Sequence, residues 1–159
     1  QQRSDSDRAR QEILDTLRGA LLRDVLLLAV AGGVFAEGVD YPGDMLQGVA
    51  VVGPCLPALS LERKLLEQYY QERFDRGFEY AFVLPGMTRV VQAAGRLLRS
   101  AEDRGVIALL DRRFLARPYR AYLPADWLPA DGEARALVDD PGRAAGRFFA
   151  VPPPGITAG

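Results

Sequence analysis

Residues 92–99 read QAAGRLLR, an order that is hard to explain as ordinary helix surface. At about 100° per residue, Arg89, Gln92, Arg96 and Arg99 fall on one side of a helix, and Val90, Val91, Ala94, Leu97 and Leu98 on the other. The polar side carries no acid. A solvated face usually mixes carboxylates with cations, because opposite charges at i,i+4 stabilise a helix and like charges destabilise it. Arginines flanking a glutamine are therefore suited to an anion, and forked guanidiniums match phosphate in particular. Residues 89–120 hold 8 basic and 3 acidic side chains although the whole chain has a net charge of −1. Only Lys64 among the 20 basic residues is a lysine. Heavy arginine use also follows from genomic base composition, so the local clustering carries the argument.

Other chemistries drop out. There is no histidine and a single cysteine, Cys55, so neither a histidine base, a zinc site nor an internal disulfide is available. Cys55 reads most simply as a small buried hydrophobe. A nucleotide-binding chain acting alone would need a phosphate cradle, yet G-x-x-x-x-G-K-[ST] is absent and Lys64 lies within LERKLLE with no glycine loop before it. Asp111, in LLDRRF, is a poor substitute for the acidic pair that holds Mg²⁺. This chain is not a complete ATPase.

Positioning such a face requires a scaffold. With 159 residues and 48% hydrophobic side chains, the chain can build one core. Asp5 or Asp7 can cap a helix to about Leu22, with Ile13, Leu14, Leu17 and Leu21 as its buried stripe. Residues 25–31 (VLLLAVA) form a continuous apolar run, expected of a strand buried on both faces of a parallel sheet. That run is far short of the roughly 20 residues needed to span a bilayer, and the N-terminus has no signal-peptide core, so no membrane partner and a soluble, cytoplasmic or nucleoid-associated protein are expected. The turn-rich AEGVDYPGD follows; ligands of open α/β sheets gather at such carboxyl ends of strands. GVAVVG at 48–53 predicts a second buried strand, and Ser60 caps a helix to about Phe74 with Leu61, Leu65, Leu66, Tyr69 and Tyr70 inward. Residues 78–84 fit a strand or a helical turn equally. The Gln/Arg helix is expected from about Met87 to Ser100, and a third buried strand over 106–110, ending at Asp111. Alternating strands and helices predict an α/β parallel sheet flanked by helices. Beyond Trp127 acids, Gly and Pro rise; one short helix fits after Asp140-Pro141, and 152–159 reads as a flexible end. The expected division is a domain over 5–127 and a tail over 128–159.

QAAGRLLR resembles the sixth motif of superfamily-two helicases, Q-x-x-G-R-x-x-R, and AGGVFAEGVDYPGD resembles the fifth motif of their XPD/DinG-like branch. VVGPCLPALS and DRGVIALLDRRF are similar to that branch's intervening strand and Pro-rich turn, and to its strand and basic turn after the sixth motif. The resemblance runs from about Ile13 to Trp127. It implies a RecA-like second motor domain of an ATP-dependent DNA helicase. The family's fourth-motif strand would lie before QQRSDSD, so the expectation is an incomplete motor domain lacking its first strand, a fragment of a longer enzyme.

By the same resemblance, Arg99 and Arg96 are arginine fingers for a triphosphate held by the first motor domain. Gln92 positions the nucleotide or the attacking water, and Gly95 permits close backbone approach. Glu37, Gly38 and Asp40 belong to the motif that couples nucleotide to DNA, with Asp40 bonding the ribose or holding the fingers; turn and capping carboxylates are the rival reading. The segment of Gly33, Val34 and Phe35, together with Arg89, would lie near single-stranded DNA. ATP and Mg²⁺ are the implied cofactors of the full enzyme. The family's iron–sulfur cluster belongs to its first half and is not expected here. Arg112, Arg113, Arg117 and Arg120 fit a nucleic-acid backbone or a solvated face; Trp127 fits a base or the packing of a chain end. The isolated chain is expected to neither bind ATP tightly nor unwind DNA. A helicase-derived, non-catalytic DNA-binding or protein-docking module is the alternative.

Overall fold

The computed structural model describes residues 7–19, 25–39, 41, 46–97, 103–127 and 140–151. Two compact units divide between Leu123 and Pro124. In the first, α1 (Asp7–Gly19) and the single turn α2 (Val34–Glu37) precede β1 (Gly48–Val51), α3 (Leu61–Phe74), a π-helix (Glu79–Val83), α4 (Leu84–Ala94) and β2 (Val106–Leu109). Two 3₁₀ turns, Arg112–Leu115 and Tyr119–Tyr122, close it. The second unit contains a 3₁₀ turn, Ala125–Trp127, and α5 (Pro141–Ala150), which begins where the Asp140 carboxylate accepts from Arg143 N at 2.9 Å. No helix among the described residues is long and apolar enough to cross a membrane.

β1 and β2 pair in parallel, with Gly48 opposite Val106 and Val51 opposite Leu109. Strands parallel to each other need a crossover, and α3, the π-helix and α4 provide it. The main core lies where α4 covers this pair: Val51, Val83, Met87, Val90 and Phe114 are buried together, with Val49, Leu109 and Tyr122 packed around them. Gly86 sets the approach of α4, since a Cβ there would meet the Pro54 carbonyl oxygen at 2.5 Å and Leu56 Cδ2 at 2.9 Å. A second cluster joins Phe35, Val39 and Tyr41 to Ile13, Leu14 and Leu17 of α1 and to Leu27. Helices packed on a parallel strand pair make this an α/β domain of the RecA-like kind.

Several sequence expectations are corrected. Residues 25–30 are not a strand, and Leu26 and Leu28 are 83% and 71% exposed. An apolar run specifies burial against something; a strand also needs a hydrogen-bonding ladder, and neither β1 nor β2 supplies one here. The two strands that do form are only partly covered, β1 burying Val51 alone. α3 begins as expected, with Ser60 Oγ accepting from Arg63 N at 3.1 Å, but none of its residues is fully buried. Leu61 is 75% exposed and Tyr69 50%, and Leu65 is also exposed, because only the line through Leu66 and Tyr70 faces the rest of the domain. The ambiguous residues 78–84 are helical: Leu84 N bonds Glu79 O in a wide π turn that buries Ala81, Phe82 and Val83 in succession. Asp5, Leu21 and residues 152–159 lie outside the described residues.

Candidate functional site

The Gln/Arg segment is not one straight helix. α4 starts at Leu84, three residues before the expected Met87, and ends at Ala94, well short of Ser100. Gly95 N donates to Val91 O at 2.8 Å, and the chain then tightens through Arg96 N to Ala93 O at 3.4 Å and Leu97 N to Ala94 O at 3.1 Å. Leu97 is buried and anchors this turn, lying against Gly105, where a Cβ would meet its side chain at 2.5 Å. Arg89 and Gln92 therefore remain on α4, half-buried and exposed respectively, while Arg96 leaves the helical face. Gly95 has a φ of −64°, which any residue adopts. Its place at the helix end is thus not a demand for left-handed backbone.

Arg96 instead reaches the loop after α2. Its Nη1 donates to Val39 O at 3.3 Å, across 57 residues of sequence. Val39 and Tyr41 are buried on either side of Asp40. The Tyr41 hydroxyl donates to Phe35 O at 2.8 Å and ties the loop back to α2. Burial raises the Tyr41 pKa, and the positive charge of Arg96 partly opposes that rise. The two segments singled out in the sequence thus meet through a guanidinium and a backbone carbonyl.

Phe35 is 3% exposed, so its side chain belongs to the core and only backbone at this point can face a ligand. Gly33, half-buried, forms the turn into α2, its N donating to Val30 O at 2.9 Å and its O accepting from Ala36 N at 3.0 Å. Gly32 before it takes a φ of 82°, the left-handed region that glycine favours. Gly38 is exposed just after α2. Asp40 and Arg99 lie outside the described residues, as do the side chains of Val34 and Glu37.

Asp111 is committed elsewhere. Its carboxylate accepts from Arg113 N at 2.8 Å and pairs with Arg113 Nη2 at 2.7 Å, which holds its pKa down to about 2. That bond caps the 3₁₀ turn and takes Arg113 out of the set of free cations; Arg112 and Arg117 stay exposed. Cys55 is half-buried beside the main core, with burial raising its thiol pKa and the charge of Arg89 opposing the rise. No group of three or more metal-ligating side chains occurs among the described residues. Sequence reasoning missed Arg63, Tyr70 and Tyr80, which line a groove with Arg89 and Gln92. Tyr70 reads as core because it lies on an apolar stripe, and nothing local marks Arg63 as its neighbour.

The parallel α/β unit thus carries a turn at 95–97 whose Arg96 bonds the glycine-flanked loop at Val39. Residues 1–130 match the helicase C-terminal domain, and the chain belongs to that family. It is 34% identical over 148 residues to the ATP-dependent DNA helicase YoaA of Escherichia coli (strain K12), covering 87% of this chain and 22% of that protein. It is 31% identical over 116 residues to the XPD/RAD3 helicase subunit of general transcription and DNA repair factor IIH from Saccharomyces cerevisiae, covering 70% and 14%. To the ATP-dependent DNA helicase DinG of Photobacterium profundum it is 33% identical over 89 residues, covering 55% and 13%. The chain thus spans roughly a fifth or less of these curated relatives, and it is an XPD/DinG-like helicase C-terminal domain.

Proposed function

We propose that this chain is the second motor domain of an ATP-dependent DNA helicase of the XPD/DinG type, supplying arginine fingers to ATP held by a first motor domain and one side of a single-strand DNA groove. The observation that carries the proposal is the Arg96 Nη1 to Val39 O bond, which couples the turn of the sixth motif to the loop of the fifth. The guanidinium of Arg96 and the amide of Gln92 fit a triphosphate, and no carboxylate of the described part of this segment competes for it.

When bound, MgATP supplies the phosphoryl group and its leaving group. This chain's part is electrostatic. Arg96 and Arg99 stabilise charge developing on the equatorial phosphate oxygens, an effect worth roughly 10³ to 10⁵ in rate when a finger comes from a second domain, or about 4 to 7 kcal/mol of barrier. Gln92 orients the nucleotide or water, and Glu37, Gly38, Asp40 and Gly95 shape the rest of this wall. Because Arg96 is anchored to Val39, closure that seats the fingers also moves the 33–39 loop, whose Gly33 to Phe35 backbone lies along the strand. Hydrolysis and DNA grip are thereby linked.

In the full-length parent enzyme, Arg99→Ala is expected to abolish DNA-stimulated ATPase while leaving single-strand affinity largely intact. An Arg99→Ala enzyme that still hydrolyses ATP at the parental rate would remove the finger assignment.

A further inference from the structure

Pro85 stands inside a helical stretch that continues through it. A proline is tolerated in the first turn of a helix that starts from a loop, but here the π-helix Glu79–Val83 runs straight into α4. In an unbroken α-helix the carbonyl four residues back, that of Ala81, would accept from the N–H of residue 85 and would collide with a proline ring placed there. The wide turn in which Leu84 N bonds Glu79 O makes room for the ring. The N–H that Pro85 lacks is still missing. Ala81 is fully buried, so water cannot replace it. The donor comes from another helix: Arg63 Nη1 donates to Ala81 O at 3.3 Å, across 18 residues of sequence. Arg63 is itself fixed in the first turn of α3, where its N–H is held by Ser60 Oγ, and its side chain lies with Leu66, Leu84 and Pro85 in the seam between the two helices. A buried carbonyl left without a partner bears its whole desolvation penalty, so the side chain that pairs it governs whether the wide turn persists.

The setting of this turn reaches beyond its own residues. A π turn adds about one residue to the helical ladder, so each side chain after it is turned roughly 100° from where a continuous α-helix would place it. In the setting observed, Met87, Val90 and Ala94 are buried, Arg89 and Gln92 stand on the polar side, and the chain leaves α4 at Gly95 so that Arg96 reaches Val39. We propose that Arg63 is a positioning residue for the sixth-motif helix: its guanidinium takes the place of the N–H that Pro85 lacks, pins the wide turn, and so fixes the rotation at which α4 presents Gln92 and delivers Arg96. Arg63 touches no reacting atom and belongs to neither helicase motif. The inference rests on the helicase reading only for what the positioned helix does; the pin itself is a matter of one buried carbonyl and its donor.

Urea unfolding of the full chain tests the pin without any ligand. Arg63→Met keeps the apolar stem and removes the fork, and should lower the folding constant about fivefold or more. Arg63→Lys, which keeps a donor, should recover most of that loss. Pro85→Ala restores an N–H opposite Ala81 O, so in that background Arg63→Met should lower the constant less than about twofold. Losses that add in the double variant, or an Arg63→Met chain as stable as the parent, overturn the pin. In the full-length parent enzyme, Arg63→Met should lower the kcat of DNA-stimulated ATPase about fivefold or more, as misplaced groups do, with KM for ATP held within about twofold. Arg63→Lys should restore kcat. An unaltered kcat beside non-additive unfolding overturns the positioning role, because Arg63 would then only stabilise the fold. A parent enzyme without ATPase fails the helicase reading and the positioning role with it, whereas additive unfolding losses in a chain whose parent hydrolyses ATP fail the pin alone.

Discussion

At the scale of single residues, hydrogen bonds between distant segments hold the site-bearing helix in place. Tyr122 donates to Glu79 Oε1 at 2.7 Å, joining a 3₁₀ turn to the π-helix from which α4 grows. Burial, then this bond, pushes the Tyr122 pKa from its usual 10.0 up to about 12. The folded chain therefore binds more protons than the unfolded one across that window, and stability, complete below pH 10, falls as pH rises towards 12. Denaturant unfolding at stepped pH should show this decline, and Tyr122→Phe should remove this group's part of it. The same variant should cost about 1 kcal/mol at neutral pH for the lost bond. An unaltered alkaline slope in Tyr122→Phe would contradict the assignment. The sequence marked Arg96 as a candidate for an anion, while its carbonyl partner was not legible, because the intervening 57 residues carry no record of which oxygen they deliver.

At the scale of elements, capping chemistry was readable and packing depth was not. Ser60 and Asp140 start their helices where the sequence placed them, since an N-cap depends only on neighbours three residues away. Ser60→Ala should lower stability by about 1 kcal/mol, measured as a shift in urea midpoint at constant slope. The burial of α3, by contrast, depends on what lies beside it, and its Leu61, Leu65 and Tyr69 face outward. Gly86 makes the complementary point. Its substitution to Ala forces a Cβ onto the Pro54 carbonyl and should cost about 1–3 kcal/mol through overpacking. The cost should appear in thermal unfolding, with helix content near that of the parent at low temperature; a neutral Gly86→Ala would show that α4 does not sit this close to the 54–56 loop.

At the scale of the molecule, the proposed function makes the chain one wall of a composite site. Its sequence carries the Gln92–Arg99 segment and lacks a Walker lysine or glycine-rich cradle. Calorimetric titration of ATP into the chain alone should therefore show no micromolar binding, and a coupled assay no turnover. A micromolar Kd or measurable hydrolysis would overturn the two-wall account. Adding the first motor domain should create both. The two compact units divide after Leu123, and α5 lies in the second with Phe148 and Phe149 exposed.

The sequence by itself determined the α/β class, strands at about 48–53 and 106–110 in a parallel sheet, the helix caps and the helicase motifs, whereas the pairing of Gly48–Val51 with Val106–Leu109 came from the fold. The former are local or periodic signals, carried by side-chain types at fixed spacing. Tertiary structure alone decided that residues 25–30 lie outside the ladder, that Gly95 ends α4 before Arg96, and that Arg96 bonds Val39 while Arg89 turns to a tyrosine-lined groove. The reason is physical: hydrophobicity and charge state what a residue needs, but burial, ladder partners and counter-charges are supplied by segments far away in the chain, and only the packed fold says which ones arrive.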